Sequence, residues 1–231
     1  TISERPAFFE QHPEHWWKAV TGTLREITKR VPLRSKEEVI GIGCCGHTPS
    51  LVLIDGNGIP VRQAITWQDT RASDQRSLIF DPAEDARRSF GSGINEACFS
   101  SLEQLLWVRE HEPDAFSRTR FVLQPKDFIN YKLTGSLATN TLSVKGFCDL
   151  YTGKPRRRQL ERVGIETTLL PEVHASDDII GYTSPDAEAL GIPSGVPVIA
   201  GEMDSVASIL GTLQTESQIS NVSGTSEIIG V

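Results

Sequence analysis

Apolar residues recur at a helical spacing over residues 13–31, where Trp16, Val20, Leu24, Ile27 and Val31 share one stripe and Trp17 broadens it. Pro13 suits the first turn, where a missing N–H is not needed. The pattern then changes. Residues 39–44 form an apolar run and predict a buried strand, which ends in the polar turn Gly46-His47-Thr48-Pro49-Ser50. Residues 51–54, the turn Asp55-Gly56-Asn57-Gly58 and a second extended run through Trp67 predict a β-hairpin. Residues 68–71 close it and start a helix, with Asp69 as its cap. Residues 81–100 carry no readable period, and Gly91-Ser92-Gly93 marks a loop there. Ser101 is placed to cap a helix bearing Leu102, Leu105, Leu106 and Val108 as far as Glu112 and Pro113. A short strand at 121–123 leads to a helix opened by Pro125 and stopped by Gly135. Residues 139–153 read as extended or looped and 156–163 as a short helix. A connecting stretch then runs from 169 toward 181–184, followed by one or two helical turns at 185–190.

The most informative stretch comes next. Val196, Val198 and Ile199 predict a strand that Gly201 breaks. From Met203 onward, Met203, Val206, Ala207 and Leu210 follow the i, i+3, i+4, i+7 pattern of a helix with one buried stripe. Asp204, Ser208 and Thr212 share another, small and polar face. A carboxylate in the first turn of a helix that follows a strand lies at the carboxyl edge of a sheet, where open α/β sheets bind ligands. An acid in a first turn also complements the helix dipole without any further role. What adds weight to Asp204 is the turn Ser223-Gly224-Thr225-Ser226 inside an otherwise apolar segment. Glycine there permits close approach, and successive N–H groups can form an anion nest, although a plain hairpin turn reads the same way. An acid beside a phosphate nest points to phosphoryl transfer.

Composition narrows the picture. With 231 residues there is core enough for one large domain or two small ones. A formal charge of −7, from 23 Lys+Arg against 30 Asp+Glu, argues against nucleic acid as a partner. The basic run Lys154-Pro155-Arg156-Arg157-Arg158 reads as a solvated loop and helix start. No apolar run approaches the roughly eighteen residues needed to cross a bilayer, and residues 1–6 have no apolar core of a signal peptide. The four cysteines form no Cys-x-x-Cys pair, and the five histidines show no metal-ligand spacing. A reduced, cytoplasmic chain without a structural metal is expected.

In their order along the chain, these motifs resemble the FGGY family of carbohydrate kinases over nearly the whole length. The matching stretches are Glu10-Gln-His-Pro-Glu-His-Trp-Trp17, Gly41-Ile-Gly43 with Gly46-His47 and Leu51–Asp55, and Ile65-Thr-Trp-Gln-Asp-Thr-Arg71. Phe99–Glu110 resembles a signature helix of the family, with Gln104 where lysine is usual. Leu123-Gln-Pro-Lys-Asp-Phe128, Gly201-Glu-Met-Asp204 and Ser223–Ser226 complete the series.

The resemblance implies an α/β, ribonuclease H-like (actin-like ATPase) domain, a mixed sheet with flanking helices. It implies ATP-dependent phosphorylation of a ketose, such as a pentulose, or of a polyol, with ATP and Mg²⁺ as cofactors. Asp204 would be the catalytic base, taking the proton of the sugar hydroxyl as it attacks the γ-phosphate. His47, Thr48, Asp69 and Phe99 would bind the sugar, and Gly224, Thr225 and Ser226 the phosphates. Two departures stand out. Pro49 occupies the position of a sugar-contacting His in xylulokinases and a Glu in glycerol kinases, and the family's opening Asp-x-Gly-Thr strand is not found. Residues 1–231 are therefore expected to be an incomplete N-terminal, sugar-binding domain of a two-domain kinase, inactive alone, without the nucleotide-binding C-terminal domain. Its sheet should show an unpaired strand position or an exposed apolar face. The partner is a small sugar or polyol, with a homodimer left open. The competing readings are a non-catalytic sugar-binding or interaction protein on the same fold, and an acetate or acyl kinase, which the Trp67, Asp69, Arg71 signature disfavours.

Overall fold

The computed structural model describes residues 8–31, 38–79, 100–212, 220–223 and 227–230. In chain order, β1 is Glu10–Gln11, α1 Pro13–Arg30, β2 Ile42–Gly46, β3 Val52–Ile54, β4 Ala64–Ile65 and α2 Arg76–Ile79. These are followed by α3 Ser101–His111, α4 Pro113–Arg118, β5 Phe121–Leu123, α5 Pro125–Thr134, β6 Ala138–Asn140 and α6 Arg157–Arg162. The chain continues with β7 Glu172–His174, β8 Ile179–Tyr182, β9 Pro197–Met203, α7 Asp204–Thr212, β10 Ser220–Ser223 and β11 Glu227–Gly230. The largest sheet has the order β2-β9-β8, with β2 parallel and β8 antiparallel to β9. A mixed sheet with helices packed beside it is the expected α/β class.

Local chemistry explains where the main helices begin. α1 opens on His12, whose Nδ1 accepts the Glu14 N–H at 3.2 Å, with Pro13 in the first turn. α5 opens on a capping box: the Gln124 N–H donates to Asp127 Oδ2 at 3.0 Å, and the Gln124 side chain accepts in return. Gly135, at φ 77°, ends it.

Strand β3 organises the core. Its side chains alternate between two apolar clusters, as a period of two requires. Leu51 and Leu53 join the cluster of Leu102, Leu105, Leu106, Phe147 and Leu160, whereas Val52 and Ile54 join Leu123, Phe128, Ile129 and Leu133. All four are at most 1% exposed, each contributing roughly 1.5–3 kcal/mol.

The expected hairpin forms: antiparallel bridges join Leu51 to Ile65 and Ile54 to Pro60, with Asp55 N–H donating to Ile59 O at 2.9 Å, Val61 N–H to Leu53 O at 2.9 Å and Leu51 N–H to Ile65 O at 2.8 Å. β3 also pairs with β5, and the short β4 with β1. The structure corrects several other expectations. Ser100, not Ser101, is the N-cap residue of α3. Asp69 caps no helix; its Oδ1 accepts the Arg71 N–H at 3.0 Å, and helical structure starts only at Ser73. β7 and β8 fall where only a connection was expected. Gly201 does not end its strand, which continues to Met203, and no residue of α7 is buried.

β2 is only half-buried. Among the described residues it pairs with β9 alone, which leaves its other edge unpaired. An apolar groove of about 510 Å³ runs between it, α1 and α5, walled by Trp16, Val20, Leu24, Ile42, Ile129 and Leu133.

Two glycines give opposite expectations. Gly201 has φ +74°, and a Cβ there would lie 2.0 Å from Cys44 O. Gly22 sits within α1, where an added Cβ meets nothing within 4 Å. Gly201→Ala should destabilise by roughly 3 kcal/mol or more, and Gly22→Ala should stabilise by about 0.5–1 kcal/mol. Urea unfolding of the two variants checks both signs, and an unchanged midpoint for Gly201→Ala would refute the close approach.

Candidate active site

The parallel register pairs Cys45 with Glu202 and Gly46 with Met203. The two strands therefore end together, and the next residues, His47 and Asp204, leave the sheet side by side at its carboxyl edge. Their electrostatics agree: burial lowers the pKa of His47 below its ordinary value, and the Asp204 charge pulls it back up. His47 Nδ1 is hydrogen-bonded to Ser50 Oγ at 2.7 Å, and its ring meets Trp16 edge-on with centroids 5.7 Å apart. Asp204 is exposed at the start of α7. Its Oδ1 accepts the Ser205 N–H at 2.7 Å, and no other described donor reaches the carboxylate.

The other expected residues take different positions. Thr48 Oγ donates to Gln124 Oε1 at 2.9 Å, so its proton is committed while its oxygen can still accept. Asp69 is buried, with both oxygens bound by Arg71 and one also accepting the Phe9 N–H. It lies beside a separate cavity with Pro49 and Trp67. Phe99 and Gly224, Thr225 and Ser226 lie outside the described residues. β10 and β11, on either side of that last turn, pair antiparallel.

Sequence reasoning missed the residues that hold this edge in place. Gln124 accepts the Ser50 N–H at 2.8 Å as well as Thr48, and its Nε2 donates to Ser101 Oγ at 2.8 Å, pinning the loop after β2. Lys126 Nζ bridges Asp127 Oδ1 at 2.7 Å and Ala200 O at 3.0 Å. Glu202 accepts from Asn140 Nδ2, Ser176 Oγ and the Met203 N–H at 2.6–2.8 Å. A polar residue before Pro125, and two charges within apolar runs, were the available signals. Among the described residues no three His, Cys, Asp or Glu side chains group as a metal site.

Comparison with known proteins places this geometry among relatives. A family model, the N-terminal domain of the FGGY family of carbohydrate kinases, matches residues 1–211. The xylulose kinase of Lactococcus lactis is 29% identical over 229 residues, 97% of this chain and 45% of that protein. A xylulose kinase of Staphylococcus epidermidis is 31% identical over 216 residues, 90% of this chain and 41% of that protein. The crystal structure of xylulose kinase from Rhodospirillum rubrum superposes with a TM-score of 0.82 at 25% identity, covering 99% of this chain and 47% of the other. Plasmodium falciparum glycerol kinase with ADP shares the fold, with a TM-score of 0.76 at 17% identity over 91% of this chain and 43% of the other. The chain spans about half the length of the relatives it matches.

The nearness of His47 and Asp204 is directly measurable. Removing the carboxylate as Asp204→Asn should move the His47 titration midpoint, followed by NMR of the imidazole, further down, because the charge that raises it is gone. A midpoint that stays put would show that the two groups are not in electrostatic contact.

Proposed function

The chain belongs to the FGGY family of carbohydrate kinases, and on that premise we propose that it is the sugar-binding first domain of a two-domain kinase that phosphorylates a ketose or polyol with ATP. The observation that carries the proposal is the paired ending of β2 and β9, which sets a half-buried imidazole next to an exposed carboxylate. That the Lactococcus lactis and Staphylococcus epidermidis relatives are xylulose kinases favours a pentulose.

Asp204 accepts the proton of the reacting hydroxyl as its oxygen attacks the γ-phosphorus. The new O–P bond forms, the bond to the β–γ bridging oxygen breaks, and ADP leaves with that electron pair. His47, with its pKa lowered, hydrogen-bonds a neighbouring sugar oxygen, and Thr48 accepts from another. Asp69 acts indirectly, by fixing Arg71 and the wall of the neighbouring cavity at Pro49 and Trp67, and Phe99 is a further candidate for sugar contact. Gly224, Thr225 and Ser226 hold the phosphates, at whose oxygens backbone donors act most strongly on charge that builds in the transition state. The nucleotide is a substrate, and Mg²⁺ would accompany it on its phosphates. The unpaired edge of β2 and the apolar groove beside it are, in this proposal, where further chain of the same kinase packs.

The test is Asp204→Asn in the complete gene product. The change keeps the shape and removes the proton acceptor, so turnover should fall by roughly 10²–10⁴-fold with little change in sugar affinity, since the acceptor matters most as the O–H bond breaks. If Asp204 only supports α7, Asn should lower the melting temperature slightly and leave turnover intact. A parent protein that binds sugar without turnover would instead favour a non-catalytic sugar-binding role.

A further inference from the structure

Among the described donors only the Ser205 N–H reaches the Asp204 carboxylate, and no residue of α7 behind it is buried. The aim of that carboxylate is therefore inherited from the backbone that enters the helix. The last buried residue on this path is Glu202, 8% exposed and two positions before Asp204.

A carboxylate removed from water needs donors in its place, and Glu202 has three. Its Oε1 accepts Asn140 Nδ2 and the Met203 N–H, each at 2.8 Å, and its Oε2 accepts Ser176 Oγ at 2.6 Å. Asn140 ends β6 opposite His174 of β7, and Ser176 lies in the turn just beyond, so two of the donors come from one pair of strands. The Asn140 side chain is itself fixed: it is 1% exposed, and its Oδ1 accepts from Ser143 Oγ, which leaves Nδ2 to face the carboxylate. Ser176 grips β9 twice, through Oγ on Glu202 and through its carbonyl, which accepts the Gly201 N–H at 2.9 Å. The third donor, the Met203 N–H, belongs to the peptide that joins Glu202 to Met203. A planar peptide moves as one unit, so holding its N–H removes the rotation by which Asp204 would otherwise swing.

We infer that Glu202 is a positioning residue for phosphoryl transfer. It ties the Met203 peptide to β6 and to the turn after β7, and so aims the Asp204 carboxylate at the reacting hydroxyl. The inference rests on the reading of Asp204 as the proton acceptor. Glu202 does not take that proton itself, because three protein donors already occupy its two oxygens. Its contribution is geometric, and a misplacement of about 1 Å can cost roughly 10²-fold in rate.

Reach rather than charge is then what the position requires, and two conservative variants separate them. Glu202→Gln loses the charge and keeps the length; its Oε1 can accept from Asn140 and Met203 while its Nε2 donates to Ser176 Oγ. Glu202→Asp keeps the charge and withdraws the carboxylate by one C–C bond, about 1.5 Å. In the complete gene product, turnover of xylulose with ATP should fall by roughly 10²-fold in Glu202→Asp with KM little changed, and Glu202→Gln should run at least about tenfold faster than Glu202→Asp. In an Asp204→Asn background the same Glu202→Asp change should cost almost nothing, since no acceptor is left to aim, whereas a purely structural role costs the same in both. Glu202→Asp outrunning Glu202→Gln, parent-like turnover in Glu202→Asp, or additive losses in the double variant would each overturn the inference. Amide hydrogen exchange of the unmodified protein stands even where a variant fails to fold: the Met203 N–H should be protected, and exchange as fast as in an unfolded peptide would remove the anchor. The kinase reading fails separately, if Asp204→Asn keeps the parent's turnover, whatever the Glu202 variants do.

Discussion

The close approach of Cys44 O to Gly201 is the contact on which the site depends. Between Gly43 and Cys45, β2 advances two residues while β9 advances three, from Ile199 to Glu202. The extra residue makes a bulge, which re-aims every side chain beyond it. A bulge frees backbone groups, and here each is taken up. The Ala200 and Gly201 amides donate to Asp178 O and Ser176 O at 3.0 and 2.9 Å, and Ala200 O accepts from Lys126 Nζ and Asn130 Nδ2. Glycine at 201 is what lets β9 pass this near its neighbour and still deliver Met203 opposite Gly46.

Holding that bulge requires burying charge. Lys126 and Asp127 are 1% exposed at their side chains and paired at 2.7 Å. An ion pair taken out of water gains little unless its remaining hydrogen-bonding capacity is also met. It is met: the ammonium also reaches Ala200 O, and the carboxylate also caps the first turn of α5. Glu202 follows the same logic, with donors from β6, from the turn after β7 and from its own strand. The polar interior here is a set of struts between β9 and its neighbours, and each strut ends within a few residues of Asp204.

How much of this was legible follows from what each signal depends on. α1, α3 and α5 were readable because period, proline and glycine act locally, within one turn. The carboxyl-edge position of Asp204 was readable from strand followed by helix. The bulge was not, because a glycine inside a strand and a glycine ending one look alike until the neighbouring carbonyl is in place. β7 and β8 escaped because they are short and half-exposed, with no apolar run to mark them. Asp69 illustrates the limit for function. Its place in the signature was clear, but that Arg71 occupies both of its oxygens is a tertiary fact. Gln104 illustrates the converse, since no sequence pattern shows that its amide oxygen is buried with no hydrogen-bond partner among the described residues.

Asp204 itself stands where this support ends. As the first residue of α7 it takes its position from β9, whereas no residue of the helix beyond it is buried and Leu210 is 62% exposed. Segments with few buried contacts open at lower free energy than the core. The rigid side of the site is thus the strand side, with the loop pinned by Gln124 and the bulge held by Lys126. The yielding side is the helix. Under the proposed mechanism, a proton acceptor at that boundary would meet two demands at once: a backbone held by β9 for near-attack geometry, and a carboxylate left exposed for substrates to reach.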